Sequence, residues 1–492
     1  MAASLPSSIM LEPPTAGAST PTRATATPRA AAGNAPATAL APAITLPLRF
    51  VLTGLGSLLA SVVALWARPD LLATYHYNQY AVAVTHLFVL GFLASVVMGA
   101  MYQLVPVALE TRLYSERLAR WQFVCHLIGF AGMVVMFWIW NLKQVGHFGS
   151  LLALGVALFL YNLVRTLARV PRWNVVATGI ASAGGWLAAV VLLGLGVAAA
   201  KCTYDSPALP GGAVVATMVG GLRAVAGCLN RFDALALMHA HAHLGVVGFF
   251  VIMIVAVSYK LLPMFALSEL QSPRRAGTAV LLLNLGLAGL AVTIALRSPW
   301  KLAFAALLAS GLVLYGLEVR AILRARKRRT LDWGLKSFLT ALALLIPTTA
   351  LGLILAWPGL PATLFTTQLE TVYALLGLLG VVGFAIIGFL HKIVPFLVWY
   401  AVYSPHVGRH QVPSLADLYR ERLQVAGYVL HLAALALTLA GTASGDATLV
   451  RWGVAGLTLA LLTFFANVAL MLSHFVRPQL QPLASVTAKG RP

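Results

Sequence analysis

The chain has 492 residues, 60% of them hydrophobic and only 10% charged, with 34 Lys+Arg against 13 Asp+Glu and a net charge of +21. An ordinary soluble domain is about one quarter charged, so a soluble globular enzyme, chain-wide disorder and a collagen-like fibre are all excluded. Apolar runs of about 20 residues recur along almost the whole length, which leaves an all-α polytopic membrane protein, and the basic residues sit mainly in the short loops between them, facing membrane lipid rather than nucleic acid.

In chain order, residues 1–43 are rich in Ala, Pro and Thr and predict a disordered tail, with no continuous apolar stretch before Ile44 of the kind a cleaved leader needs. Twelve apolar spans follow, at about 44–67, 80–107, 121–141, 146–166, 173–200, 236–263, 275–296, 300–323, 333–356, 368–398, 422–442 and 448–473. The stretch 476–492 predicts a flexible C-terminal tail. Twelve spans put both termini on one side. With both ends inside, the tails, inner loops and inner span ends hold 26 of the 34 basic residues and the outer loops and outer span ends 8, the inner set including Arg324, Arg326, Lys327, Arg328 and Arg329. That asymmetry orients the chain with both termini cytoplasmic, as in a bacterial-type inner membrane. The longest outer connection, about 201–235, carries Cys202 and Cys228, a candidate disulfide on an oxidising side, and a weakly patterned candidate interfacial helix from Ala213 to Leu229.

Spans two, six and ten share a pattern. The first copy is HLFVLGFLASVVMGAMYQLVPV from His86, the second HLGVVGFFVIMIVAVSYKLLPM from His243, the third LLGLLGVVGFAIIGFLHKIVPF from Leu375. Aligned without gaps they match at Gly91, Gly248 and Gly380, then at small Gly99, Ala256 and Gly388, and end in Pro106, Pro263 and Pro395. Small residues at matched depth let helices approach closely. A motif in the second helix of every four implies three repeats, about 44–170, 171–325 and 330–475, arranged as three pseudo-threefold four-helix arcs.

Ionisable residues inside a membrane are functional candidates. Asp and Glu are nearly absent from the spans; histidine is not. In MHAHAHLG, His239 and His243 are four apart and share a helix face, while His241 points about 200° away from each. Span six runs outside to inside, so these three, with His86 on the repeat-related span two, lie in the outer third of the membrane. Neutral imidazole binds metals and haem iron accepts axial His. His86, His241 and His243 are therefore candidate haem ligands, and His239, His241 and His243 candidate metal ligands. His391 lies 16 residues past the aligned level, about 24 Å deeper at 1.5 Å per residue. With His126, His431, Tyr102, Tyr259, Lys260 and Lys392 it predicts a polar inner vestibule. His76, His147, His406, His410 and His474, in loops or at span ends, read as solvated surface.

With both ends inside and His near the outer ends of spans two and six, the chain resembles subunit I of the haem-copper oxidase superfamily, the cbb3-type oxidases and nitric oxide reductases in particular. HLFVLGFLASVVMGAMYQLVP is similar to the reductase version of span two, whose His binds a low-spin haem, and HAHLGVVGFF to the family's H-x-H-L segment. The resemblance covers about residues 44–475 and implies an axial role for His86, with His241 or His243 as its trans ligand. It further implies a b-type haem, a quinol or c-type cytochrome as electron donor, other respiratory subunits as partners, and a small gas, oxygen or nitric oxide, as substrate.

The chain also departs from that family. The family's H-x-H segment is on span ten, where this chain has Leu375, and its copper site takes a His pair from span seven, which here offers only Asn284. Haem iron without a stoichiometric partner copper is therefore the expectation, copper standing second to haem. There is no C-x-x-C-H for covalent haem. A non-catalytic haem or copper sensor or carrier is the chief alternative, and a His-lined metal or proton transporter another. The basic asymmetry makes its own test: reporter fusions after Arg329 and after Lys301 should report opposite sides, the first cytoplasmic, and the reverse result would invert the depth assigned to every histidine.

Overall fold

In the computed structural model the described residues are 40, 42–68, 70–202 and 213–482. The expected N-terminal tail lies almost wholly outside them. Twelve of the described helices are long and apolar enough to cross a membrane. In order these spans are Thr45–Ala67, Gln79–Ala108, Glu116–Trp138, Leu142–Leu167, Val175–Lys201, Ala234–Ala266, Pro273–Ala295, Lys301–Arg324, Trp333–Leu355, Leu364–Val402, Glu421–Ser444 and Ala447–Ser473. Helix is the form hydrocarbon imposes, because each backbone N–H and C=O must find its partner within the segment. Span three starts earlier than its apolar run, at Glu116, because the Ser115 hydroxyl accepts the Leu118 N–H at 3.1 Å and caps it. A further helix, Ala213–Leu229, occupies the connection where an interfacial helix was expected.

Spans two, six and ten are the inner helices: 56%, 78% and 56% of their apolar windows are buried, against 17–39% in the other nine. The three-copy pattern in sequence has three copies in local structure. Directly after the aligned positions His86, His243 and Leu375, each helix widens into a π-helical stretch, Leu87–Ala94, Leu244–Val251 and Leu376–Gly383. π turns are rare and concentrate at functional sites. Their wider turns advance less per residue, so His391 lies less than the ~24 Å beyond Leu375 that an ideal α-helix would give.

The third span of each repeat ends in the same turn. Trp140, Arg297 and Gly445 take positive φ. The next N–H closes back on the helix each time, Asn141 to Met136 at 2.8 Å, Ser298 to Thr293 at 2.8 Å and Asp446 to Gly441 at 2.9 Å. The opposite end of that span is held by a buried side chain from the fourth. Asn162 Oδ1 accepts the Ser115 N–H at 3.1 Å, Glu318 Oε1 accepts the Ser272 N–H at 3.0 Å, and Asn467 Oδ1 accepts the Arg420 N–H at 2.8 Å. Glu318 is fully buried and also meets Arg275 at 2.5 Å. A count of apolar residues passes over this buried carboxylate in span eight.

The aligned small residues mark where the inner helices touch the first span of their own repeat. A Cβ on Gly99 would meet the Phe50 Cβ at 2.5 Å. In the second copy the glycine has moved to the partner helix, where a Cβ on Gly179 would meet the Ala256 Cβ at 2.6 Å. In the third copy a Cβ on Gly388 would fall 2.8 Å from the Gly334 carbonyl oxygen and 2.9 Å from the Phe338 nitrogen. Both neighbours are backbone and cannot step aside. Gly388→Ala should therefore lower stability by roughly 1–3 kcal/mol, the cost of overpacking, read as a lower thermal midpoint in detergent. Gly277→Ala, which meets nothing within 4 Å, should leave it level or raise it; equal behaviour of the two variants would refute this packing.

Candidate functional site

The three histidines of span six do not converge on one point. Each faces a different inner element. The His241 ring lies opposite that of His86 on span two, centroids 6.4 Å apart and planes 27° from parallel. His243 faces span ten, its Nε2 3.3 Å from the Tyr373 hydroxyl. His239 faces outward along the helix, its Nε2 3.3 Å from that of His76 in the connection before span two.

Hydrogen bonds fix the tautomers of two rings. His86 Nδ1 lies 2.7 Å from the Val82 carbonyl oxygen, and His243 Nδ1 2.7 Å from that of His239. A carbonyl can only accept, so both Nδ1 atoms carry hydrogen and both Nε2 atoms keep their lone pairs. This is how a ligating His is usually oriented. At His243 the lone pair accepts from the Tyr373 hydroxyl. At His86 it is free to ligate, and the ring is steadied by Phe137, 4.8 Å away. His241 Nδ1 is buried with no hydrogen-bond partner among the described residues. Room for this ring comes from span five: a Cβ on Gly194 would fall 2.9 Å from His241 Cε1.

His86 and His241 are spaced as two imidazoles that would hold one iron between them if their ring nitrogens turn toward each other. With iron–nitrogen bonds of about 2 Å, as for other first-row metals on His, and about 1.1 Å from nitrogen to ring centre, the centroids come out about 6.3 Å apart. The observed spacing is 6.4 Å. His241 lies opposite His86 and His243 opposite Tyr373, whereas in sequence the two were equals.

The end of the inner helices ahead of the facing rings holds a second group. His76, His239 and Glu370 place one ligand atom each within 4.8 Å of one another, the one such trio among the described residues. His76 Nδ1 is 3.1 Å from the Thr371 hydroxyl. Burial holds the His76 imidazole below its usual range. Sequence reading took His76 for surface and passed over Glu370. The available signal was position, since His76 precedes the aligned His86 by ten residues and Glu370 precedes Leu375 by five.

The residues of the expected inner vestibule fall in separate places. His391 and His431 border one cavity of about 20 Å³, with Gln424 and Tyr428 beside them. Both nitrogens of His391 are buried without a partner among the described residues. His431 donates from Nε2 to the Leu379 carbonyl at 3.3 Å and stacks on Phe384. In the first repeat, His126 Nε2 is 3.0 Å from the Ser95 hydroxyl, and the Tyr102 hydroxyl donates to Gln122 at 3.2 Å. The Tyr259 hydroxyl is buried without a partner among the described residues and its ring meets Tyr315. Lys260 is exposed. Lys392 pairs with Asp332, the N-cap of span nine. Burial pushes the Asp332 carboxyl up, but the hydrogen bond and charge of Lys392 outweigh that and hold it below the usual carboxylate range.

His147 is the exposed histidine it was expected to be, whereas His474 is buried, with Nδ1 2.6 Å from the Tyr403 hydroxyl. That hydroxyl also accepts the Gln479 N–H at 2.9 Å, and Gln481–Pro482 pairs with His410–Gln411, so the tail is tied down as far as Pro482. Cys228 is an exposed free thiol and Cys125 a half-buried one; the Cys202 side chain lies outside the described residues.

Among known families, the model described as Cytochrome C and Quinol oxidase polypeptide I matches residues 25–147. That stretch includes spans one to three and His86. No curated protein matches the chain. With its twelve membrane-length helices, the chain is consistent with a subunit I-like protein.

Proposed function

We propose that this chain is a haem-binding redox protein of the membrane, with a b-type haem held between spans two and six by His86 and His241. The observation that carries the reading is the facing pair of rings at the spacing two axial ligands require. Bound there, haem supplies a one-electron couple whose potential follows its axial ligands and the burial around them. The Val82 carbonyl holds the His86 ring in the ligating tautomer. Gly194 leaves the space the His241 ring fills. Tyr373 takes up the lone pair of His243 and so keeps it from competing for the same position. The apolar helices around the pair exclude water and strengthen each of these interactions.

In this reading both termini are cytoplasmic, the twelve spans form three four-helix arcs in a bacterial-type inner membrane, and electrons come from a quinol or a c-type cytochrome, with other respiratory subunits as partners. The terminal acceptor is a small gas, oxygen or nitric oxide. A carrier or sensor role is the second reading. It is favoured by the divergence of His239, His241 and His243 to three separate partners, because copper wants several nitrogen ligands in one defined geometry.

His86→Ala and His241→Ala should each abolish the low-spin visible spectrum of the purified protein, leaving high-spin haem or none. Gly194→Ala should broaden or shift it by displacing the His241 ring. His243→Ala and Tyr373→Phe should retain the sharp reduced bands. A His243→Ala protein that loses them while His241→Ala keeps them would exchange the two roles and refute the assignment.

A further inference from the structure

We infer that His76, His239 and Glu370 form a binding site for a divalent first-row transition metal ion, zinc being the form that matches the geometry, at the outer end of the inner helices. The site is separate from the His86–His241 pair and does not depend on haem being bound there.

The donor set comes from three distant parts of the chain: the connection before span two, span six and span ten. Nothing local brings these residues together, since 163 residues separate His76 from His239 and 131 separate His239 from Glu370. Their ligand atoms nevertheless lie within 4.8 Å of one another. Two imidazoles and one carboxylate are a donor set that suits zinc and its neighbours, whereas calcium and magnesium take oxygen ligands.

The spacing of the two nitrogens suits a shared ion. Ligands about 2.0–2.1 Å from a tetrahedral zinc are about 3.3 Å from each other. His76 Nε2 and His239 Nε2 are 3.3 Å apart. Hydrogen bonding around His76 points the same way. Its Nδ1, 3.1 Å from the Thr371 hydroxyl, can donate there, because that hydroxyl has a lone pair to spare while it donates to the Thr367 carbonyl. His76 Nε2 then carries a lone pair, and the proton between the two rings belongs to His239. A metal ion takes the place of that proton, which moves to His239 Nδ1 or to solvent. Thr371 is the outer partner that orients a ligating imidazole. Three protein ligands leave a fourth tetrahedral position for water.

Such an ion joins the three inner helices at one end. His239 is two residues from His241 on span six, and His76 lies on the connection that leads into the helix of His86. The ion therefore fixes the entry of span two against spans six and ten just outside the facing ring pair.

The test is zinc uptake by the full-length protein in detergent, stripped with chelator, dialysed against micromolar zinc and assayed for metal per chain. One zinc per chain is expected. His76→Ala and Glu370→Gln should each lose it, and Thr371→Val should weaken it by roughly 10–100-fold, the effect of removing an outer partner. His86→Ala and His241→Ala should keep it, so that failure of the haem reading and failure of this one are told apart. If His76→Ala does not fold, Glu370→Gln and Thr371→Val carry the test, each first shown to be monodisperse. Absence of zinc in the wild type, or unchanged uptake in both Glu370→Gln and Thr371→Val, would overturn the inference.

Discussion

A neutral imidazole inside a membrane has two nitrogens that water cannot reach, and each must be given a partner or left at a cost of a few kcal/mol. The end of the membrane domain that carries His86 and His239 is organised around that demand. His86 and His243 spend one nitrogen on a carbonyl four residues back in their own helix. What the other nitrogen meets then decides its chemistry. For His243 it is a tyrosine hydroxyl, for His239 a second imidazole, and His86 and His241 face each other. Alternation along MHAHAHLG is what lets one helix turn three such groups to three neighbours.

The scaffold makes this arrangement possible by bringing backbones very close. Glycine or alanine at one depth of each inner helix admits the first helix of its own repeat to van der Waals contact, and small-residue contacts of this kind are what hold helices together where lipid and side chain are equally apolar. The third and fourth helices of each repeat are tied by a buried polar side chain, Asn162, Glu318 or Asn467. Two of these latches are neutral amides. The charged one is accompanied by Arg275, which supplies the countercharge a buried carboxylate needs. His86 and His241 are then carried by rigid helices rather than by loops, which favours precise placement.

Much of this was legible in the sequence, for physical reasons. Hydrocarbon forces long apolar runs, so the twelve spans stand out within a few residues of their ends. Close helix contact forces small residues at fixed depth, so the aligned Gly91, Gly248 and Gly380 exposed the repeat. The histidines of spans two and six stood out because intramembrane imidazoles are rare. What sequence could not give was tertiary. Nothing near His76 says that it reaches His239, and Glu370 looks like an ordinary acidic residue near a span end. Gly194 is one glycine among many until the His241 ring is seen against it. The π-helical turns leave no mark in composition, and they change both depth and facing downstream of each aligned position. His241 and His243 were equivalent as symbols; their partners separate them.

The account stands on His86 and His241 acting as a pair across spans two and six. Electron paramagnetic resonance of the oxidised, purified protein at low temperature tests that most directly. The low-spin ferric signal of iron held between two imidazoles is the expected result. A protein that retains no haem after reconstitution, or one whose only ferric signal is high-spin, would contradict it.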